Sequence, residues 1–337
     1  MVKIAIIPGD GIGPEIVNAT LKVLDSLNIN LEYVFFDIGY NRLRKTGEAI
    51  SDDDIDAIKK IGIALMGPVT TPKPSEVRKY RSPVLTLRKE LDLYVNLRPI
   101  KSLPNIPQAR KNVDIVIVRE NVEGLYCGVE REFSGGYSAL LVTTKSNVER
   151  LAEFAFKYAK NYSRKKITVV HKANVLRKTH GLFLETCLNV ARKYPEIKVE
   201  DMHVDTASML MVLKPEIFDV IVTTNMFGDI LSGIGSALVG SPGLVPSANI
   251  GDEYAIFTPV HGSAPDIAGK NIANPIAMML SAKMMLEKLG FQHEARRLEE
   301  AIISALKANI KTPDIGGEYS TIEFANAVIR FLKAHSN

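Results

Sequence analysis

Short apolar runs alternate with amphipathic segments along most of the chain. The apolar runs are typical of buried strands and span residues 3–8, 31–39, 62–68, 114–120, 166–172, 197–205 and 218–225. Helical patterns begin at Pro14, at Ser51 and after Asn274-Pro275, and two more cover 149–162 and 181–194. This alternation predicts an α/β fold with a mostly parallel sheet that has helices on both faces.

One segment departs from the alternation. Residues 133–141, FSGGYSALL, combine a glycine pair with apolar positions and no helical period. We expect a β-arm here that contacts another subunit.

Composition excludes several classes of protein. The 337 residues are enough for two domains, and 46% hydrophobic with 24% charged residues is typical of a soluble globular protein. The net charge of +4 is not concentrated in a block, so it favours small anionic ligands weakly and does not predict nucleic-acid binding. No apolar run is long enough to span a membrane, and two cysteines fit a reducing cytoplasm.

The first glycine cluster, Gly9 to Gly13, follows a predicted strand and opens a helix. A Rossmann fingerprint requires a third glycine, which is replaced by Pro14 or Ile16 in the two possible registers. The sequence therefore predicts a glycine turn near a ligand, without a Rossmann site.

Four of the five arginines between residues 81 and 120 accompany apolar segments: Arg81, Arg88, Arg98 and Arg119. Guanidinium groups bind carboxylates with two parallel hydrogen bonds and stay charged near neutral pH. No aromatic or basic stripe surrounds them, so the group indicates a small polycarboxylate ligand. Any one of these arginines alone is more simply explained as a solvated surface charge.

Two aspartates follow predicted strands. Asp205 closes the run at 197–205, and Asp229 comes shortly after the run at 218–225. Ligands of open α/β sheets bind beyond the carboxyl ends of strands, and carboxylates suit Mg²⁺ or Mn²⁺. Helix capping is the alternative role, especially for Asp229.

Two further residues could transfer protons. Lys172 ends an apolar strand, and a buried lysine loses its proton readily enough to act as a base. Tyr126 lies seven residues after Arg119 and could donate a proton. A surface lysine and a core tyrosine are the alternatives.

A loop near the end of the chain, residues 259–275, is rich in small residues. Gly262, Ser263, Ala264 and Gly269 allow a ligand to approach the backbone closely. Asp266 could bind ribose hydroxyls and would repel a 2′-phosphate, which favours NAD over NADP. The alternative is a purely structural loop, although loops of this kind more often carry function.

Six segments in this order resemble the β-decarboxylating dehydrogenases of isocitrate, homoisocitrate and 3-isopropylmalate. The segments are GDGIGPE, LRKELDLYVNLRP, VRENVEGLY, HKANV, NMFGDILS and PVHGSAPDIAGKNIANP. The resemblance implies a two-domain α/β fold that is not Rossmann, with residues 1–98 plus 251–337 as the cofactor-side domain. Residues 99–250 would form the second, metal-side and dimerisation domain, in a homodimer or a dimer of dimers.

The resemblance also implies roles for individual residues. Arg88, Arg98 and Arg119 would bind the carboxylates of the substrate, and Tyr126 would protonate the enol that remains after decarboxylation. Lys172, as base, and Asp205, as metal ligand, would come from the partner subunit, whereas Asp229 would bind the metal from the same chain as the arginines. NAD would be held by the following residues: Thr70, Asn174, His261, Gly262, Ser263, Ala264, Asp266, Ile267 and Asn274.

The sequence departs from the family pattern at three places. Gly233 replaces a usual aspartate four residues after Asp229, Thr258 replaces a glutamate near the cofactor, and Pro242 stiffens a usually glycine-rich turn. We expect weaker metal binding but an intact catalytic set. Loss of chemistry in a regulatory subunit of a mixed oligomer is the alternative.

Substrate choice in this family depends on the residues just before Arg88. Ser82 matches isocitrate enzymes, and Val84 and Leu85 resemble the apolar wall of isopropylmalate enzymes. Arg81 replaces the glutamate of the latter and could bind a distal carboxylate together with Ser82. The expectation is homoisocitrate with some isocitrate, and 3-isopropylmalate is the alternative substrate.

Overall fold

The structure is a computed structural model that describes residues 1–73, 75–77 and 80–334. Its strands are β1 (Val2–Ile7), β2 (Leu31–Phe35), β3 (Ile63–Met66), β4 (Val95–Lys101), β5 (Asp114–Glu120), β6 (Glu130–Phe133), β7 (Gly136–Ala139), β8 (Lys166–His171), β9 (Lys198–His203), β10 (Val220–Thr223), β11 (Pro246–Ile250) and β12 (Ala255–Pro259). Its helices are α1 (Gly13–Asp25), α2 (Tyr40–Thr46), α3 (Asp52–Ile61), α4 (Pro83–Glu90), α5 (Lys145–Asn161), α6 (Thr179–Ala191), α7 (Val204–Leu213), α8 (Asn225–Leu238), α9 (Ile276–Lys288), α10 (Gln292–Lys307) and α11 (Thr321–Ala334).

One large sheet organises the fold, in the order β2-β1-β3-β12-β11-β4-β5-β10-β8-β9. The strand pairs are parallel on both sides of its middle, and β12-β11, β11-β4 and β4-β5 are antiparallel. The predicted α/β fold with a mostly parallel sheet is therefore confirmed. The division into domains stays a prediction, and both expected boundaries fall at the central strands β4 and β11.

Several predicted elements are confirmed closely. Strand β5 has the predicted bounds, and α1 buries the apolar face that begins with Ile16 and Val17. Helix α3 begins after Ser51, whose side chain and backbone form a capping box with Asp54. Helix α9 begins after Asn274-Pro275 as predicted, and the Asn274 side chain accepts a hydrogen bond from the first backbone N–H of that helix.

Other predictions need correction. Strand β9 ends at His203, and Asp205 lies in the first turn of α7 instead of closing the strand. The apolar pattern of the sequence did not predict the three middle strands β4, β11 and β12. Pro99 and Asn96 interrupt the apolar pattern of β4, as do Pro246 and Asn249 in β11, and these residue types are depleted in strands.

The predicted β-arm is present as a hairpin. Strands β6 and β7 pair antiparallel, apart from the large sheet. Phe133 and Tyr137 on this hairpin are largely exposed. Its contact with a second subunit stays a prediction. Within the described residues, no helix is long and apolar enough to cross a membrane.

Candidate active site

A cleft of about 550 Å³ opens beside the middle of the large sheet. Arg88 reaches it from α4, Arg98 from β4, Arg119 from β5, Asp229 from α8, and Tyr126 from the turn after β5. The structure thus brings together five residues that the sequence reading assigned to substrate, metal and proton transfer.

The three arginines are buried, and two of them share one acidic partner. Asp229 Oδ1 accepts hydrogen bonds from Arg98 Nη1 at 3.0 Å and from Arg119 Nη1 at 2.6 Å. Arg88 instead donates from Nε to the Asn249 side chain at 3.1 Å. Three guanidinium groups therefore face this cleft with a single carboxylate between them.

Burial and mutual repulsion act on these charges. Desolvation, with Arg119 and Arg98 nearby, lowers the pKa of Arg88 to about 9, and desolvation with Arg119 nearby lowers the pKa of Arg98 to about 10. Desolvation opposes the charged form of Asp229, but Arg119 and Arg98 more than offset it, and the Asp229 pKa lies below its ordinary value. Arg88, Arg98 and Asp229 therefore stay charged near neutral pH.

Hydrogen bonds fix the Arg119 side chain to residues that the sequence did not predict as part of the site. Its Nε and Nη2 donate to the backbone oxygen and side-chain oxygen of Asn225 at 2.7 and 2.8 Å. Asn225 in turn donates to buried Glu120 at 3.2 Å, and Glu120 also accepts from Asn147 at 2.9 Å. Burial raises the pKa of Glu120. An acid that ends an apolar strand was the available signal for this network.

Tyr126 points at the same carboxylate. Its hydroxyl donates to Asp229 Oδ2 at 3.0 Å, and the Arg119 guanidinium lies 5.1 Å from the centre of its ring. Burial and the Asp229 charge raise the pKa of Tyr126. The phenol is therefore protonated at neutral pH and can act as an acid.

Lys172 and Asp205 lie elsewhere in the chain. They pair with each other after β8 and at the start of α7, and neither lines the cleft. The Lys172 ammonium lowers the pKa of Asp205. The described residues contain no group of three His, Cys, Asp or Glu that could hold a metal ion.

The wall next to Arg88 carries most of the predicted specificity residues. Ser82, Val84 and Leu85 line the cleft, together with Tyr80, which the sequence reading did not include. The Arg81 guanidinium lies outside the cleft lining and donates to Asp52 at 2.7 Å on the exposed start of α3. Ser82 also caps α4 by accepting from the Leu85 N–H.

The predicted cofactor loop packs against the glycine turn. The Ser263 hydroxyl lies 2.6 Å from that of Thr70, and its backbone oxygen accepts from Ile12 at 2.8 Å. A Cβ on Gly11, whose φ is +57°, would lie 1.9 Å from that oxygen. This close approach explains the glycine, and the predicted turn does lie beside the loop expected to hold a ligand.

His261 offers an unpartnered atom at this place. It lines the cleft, its Nδ1 lies 3.0 Å from the Gly262 oxygen, and its buried Nε2 has no hydrogen-bond partner among the described residues. Burial lowers the His261 pKa, so the ring is neutral at pH 7. Asp266 is exposed and Ile267 half-buried next to it, and Ala264 has a φ of +37°.

Two predicted cofactor residues lie apart from these contacts. Asn274 is buried, and its amide is engaged by Asp314 and the backbone of Ile276. Asn174 is exposed on the turn that follows β8.

Asp10, which the sequence did not predict as part of the site, fixes the glycine turn to the Thr70 segment. It is buried and accepts hydrogen bonds from the backbone N–H groups of Tyr40, Asn41 and Thr70.

The three departures from the family pattern fit without strain. Gly233 lies on α8, and a Cβ added there would have no described atom within 4 Å outside its own helix turn. Thr258 lies on β12 and lines the cleft. Pro242 begins a short 3₁₀ turn that Ser241 caps. None of them displaces the arginines or Tyr126.

The fold and the site together define an α/β enzyme that binds an anionic substrate, and comparison with known proteins specifies the family. The model of the isocitrate/isopropylmalate dehydrogenase family matches residues 3–328. The chain therefore belongs to this family and is an NAD(P)-dependent β-decarboxylating dehydrogenase. Members of the family use a divalent metal and act on small hydroxy acids.

Individual relatives differ in their substrates. The chain is 47% identical to 3-isopropylmalate dehydrogenase of Archaeoglobus fulgidus over 98% of this chain and 100% of that protein. It is 45% identical to homoisocitrate dehydrogenase of Methanocaldococcus jannaschii over 99% and 98% of the two chains. The crystal structure of isocitrate dehydrogenase from Methylococcus capsulatus superposes with a TM-score of 0.95 at 42% identity, covering 99% of this chain and 100% of that one.

Proposed function

We propose that the protein oxidises and decarboxylates homoisocitrate with NAD, accepts isocitrate as well, and serves lysine biosynthesis by the α-aminoadipate route. The observation that carries this proposal is the charge imbalance in the cleft. Three buried arginines line the cleft: Arg98 and Arg119 share the carboxylate of Asp229, and Arg88 donates to the neutral amide of Asn249. Buried charges require compensation. A substrate with several carboxylates supplies the missing negative charge.

The residues of the chain divide the work of the reaction. Arg88, Arg98 and Arg119 hold the substrate carboxylates, and Lys172 of a second copy removes the proton of the substrate hydroxyl. After CO₂ leaves, Tyr126 protonates the carbon of the enolate, which gives the 2-oxo acid. The raised pKa of Tyr126 keeps this proton in place until it is needed.

Two bound groups complete this chemistry. When bound, NAD would supply the hydride acceptor and Mg²⁺ or Mn²⁺ would supply a Lewis acid. The unpartnered His261 Nε2 beside Thr70 and Ser263 fits a nucleotide, and the Asp229 carboxylate fits a hard cation. We assign Asp229 of one chain and Asp205 of its partner to the metal.

An exposed apolar surface supports a second copy of the chain as the partner. Met209, Val212 and Leu213 on α7 and Met226 and Ile230 on α8 are all exposed by more than a third. These two helices also carry Asp205 and Asp229. A homodimer that covers this patch would bury it and bring Lys172 and Asp205 toward a neighbouring cleft.

Polar groups in the wall next to Arg88 favour a substrate with a third carboxylate. Ser82 and Tyr80 line this wall, where the Ser82 hydroxyl caps α4 and the Tyr80 hydroxyl donates to the Thr70 backbone oxygen at 3.3 Å, and Arg81 lies between them in the chain. The Arg81–Asp52 pair is solvent-exposed, and such pairs are worth about 0–1 kcal/mol. The guanidinium can therefore exchange Asp52 for a distal carboxylate at little cost.

3-Isopropylmalate is the second candidate substrate. Val84 and Leu85 give the same wall an apolar part that an isopropyl group would contact. The Archaeoglobus fulgidus relative carries the name of this activity. Under this alternative Arg81 would have no role beyond its pair with Asp52.

The reaction itself is tested with the purified chain, NAD, Mn²⁺ and homoisocitrate. We expect NADH and CO₂ in equal amounts, no turnover after removal of the metal with EDTA, and recovery when Mn²⁺ is added. Failure to reduce NAD with homoisocitrate, isocitrate or 3-isopropylmalate would contradict the proposal and favour a regulatory subunit.

A further inference from the structure

Behind the substrate-binding arginines lies a buried pair of amides. Asn96 on β4 and Asn249 on β11 are directly opposite each other in the antiparallel strand pair. Asn96 Nδ2 donates to Asn249 Oδ1 at 2.9 Å, and both side chains are nearly inaccessible to solvent. Two buried asparagines facing each other in the middle of a sheet are unusual, since β-sheet cores favour apolar residues.

Each amide holds one arginine. Asn249 Oδ1 accepts from Arg88 Nε at 3.1 Å, and Asn96 Oδ1 accepts from Arg98 Nε. Because arginine can only donate, these contacts fix which atom of each amide is the oxygen. The two guanidinium groups are thus joined through one continuous chain of hydrogen bonds.

Holding arginine by Nε leaves its outer edge available. The Nη atoms of Arg88 carry four N–H donors that Asn249 does not use, and Arg88 lines the cleft. Those donors form the planar fork that matches a carboxylate. The amide therefore sets the direction of the fork without occupying it.

The neutrality of the amides matters as well. A carboxylate at position 249 could accept the same hydrogen bonds, but its charge would offset that of Arg88 and weaken its attraction for a substrate anion. Asn249 Oδ1 also accepts from Asn121 Nδ2 at 3.0 Å, and Asn96 Nδ2 donates to Ser247 Oγ at 3.0 Å. The acceptors and donors around the pair are therefore all uncharged apart from the two arginines.

We propose that Asn96 and Asn249 are positioning residues that orient Arg88 and Arg98 as a coupled unit without adding a negative charge that would compete with the substrate. This inference rests on the proposed function, because it takes the carboxylates of the hydroxy acid as the ligand of these arginines. It adds specific residues, on the two central strands, to the groups that determine substrate affinity.

Asn249→Ala, Asn96→Ala and the double variant test the coupling. For each single variant we expect the KM of the hydroxy acid to rise roughly tenfold or more, with the KM of NAD unchanged. The double variant should raise KM by clearly less than the product of the two single effects, because the residues act as one unit. Independent, multiplicative effects would contradict the coupling.

Asn249→Asp tests whether the side chain at position 249 must be uncharged. It also replaces the alanine variants as the test if they do not fold. It keeps the shape and the acceptor, so kcat should stay close to that of the wild type while the KM of the hydroxy acid rises roughly tenfold. An unchanged KM in this variant would overturn the role assigned to the neutral amide.

Thr20→Val is the matched control for loss of a buried hydrogen bond. The Thr20 hydroxyl is fully buried and donates to Ile16 within α1, so this variant should lose stability and keep both KM values. If the asparagine variants behave in the same way, their role is only structural and the inference fails. Absence of turnover in the wild type would instead contradict the proposed function.

Discussion

At the scale of single residues, Gly233 has the clearest consequence. It lies one turn after Asp229 on α8, on the same face, with open space around it. Gly233→Asp adds a second carboxylate next to the first, so we expect Mn²⁺ to bind roughly tenfold more tightly. Calorimetric titration of the metal measures this change, and unchanged affinity would place Asp229 outside the metal site.

Asp229 itself gives a prediction for pH. Its pKa lies below the ordinary 3.8 in the folded protein, so it contributes stability that is present above about pH 4 and lost as the pH falls through the lower folded value. Because the Asp229 side chain is 43% exposed and its ion pairs are screened by solvent, Asp229→Asn with EDTA present should lower the free energy of unfolding at pH 6 by no more than about 1 kcal/mol. Urea unfolding should show a smaller difference at pH 3. An equal difference at both values would mean that Asp229 is not stabilised as an anion.

At the scale of elements, the packing of α8 against β5 keeps Arg119 in place. A Cβ on Gly228 would lie 2.5 Å from Arg119 Cγ and 2.7 Å from its Cβ. Gly228→Ala should therefore displace Arg119 and raise the KM of the hydroxy acid at least roughly tenfold.

Gly233→Ala in the same helix is the control for this prediction. Nothing lies within 4 Å of the added methyl group, so helix propensity should stabilise the protein by up to about 1 kcal/mol and leave KM unchanged. Equal KM values for the two alanine variants would show that helix packing does not position Arg119.

Some elements of the fold could be predicted from the sequence and others could not. Strand β5, helix α3 with its Ser51 cap and the arginines follow from local patterns, because periodicity and capping are short-range signals. The middle strands β4 and β11 place Asn96 opposite Asn249 only through the order of the whole sheet. The contact of Arg81 with Asp52 likewise depends on how α3 and α4 approach each other, which no local pattern specifies.

At the scale of the whole molecule, the proposed mechanism requires active sites to which two chains contribute residues. Tyr126→Phe and Lys172→Met should each be nearly inactive alone. A heterodimer purified through two different tags contains one intact site of two, so it should recover about half of the wild-type activity. An inactive heterodimer would place both residues in a site formed by one chain.

The matched control is a heterodimer in which one chain carries Tyr126→Phe and the other carries Asp229→Asn. Tyr126 and Asp229 are hydrogen-bonded within one chain at 3.0 Å, so each site of this heterodimer carries one defect. It should stay inactive. Recovery here would mean that the chains exchange after purification.

The central claim is the reaction and its preferred substrate. NADH formation by the wild-type chain with Mn²⁺ should be measured side by side on homoisocitrate, isocitrate and 3-isopropylmalate, since the ratio of kcat/KM values defines specificity. We predict the highest kcat/KM for homoisocitrate, a lower one for isocitrate, and a loss of the preference in Arg81→Glu. A higher kcat/KM for 3-isopropylmalate would contradict this prediction and make the apolar wall of Val84 and Leu85 the feature that selects the substrate.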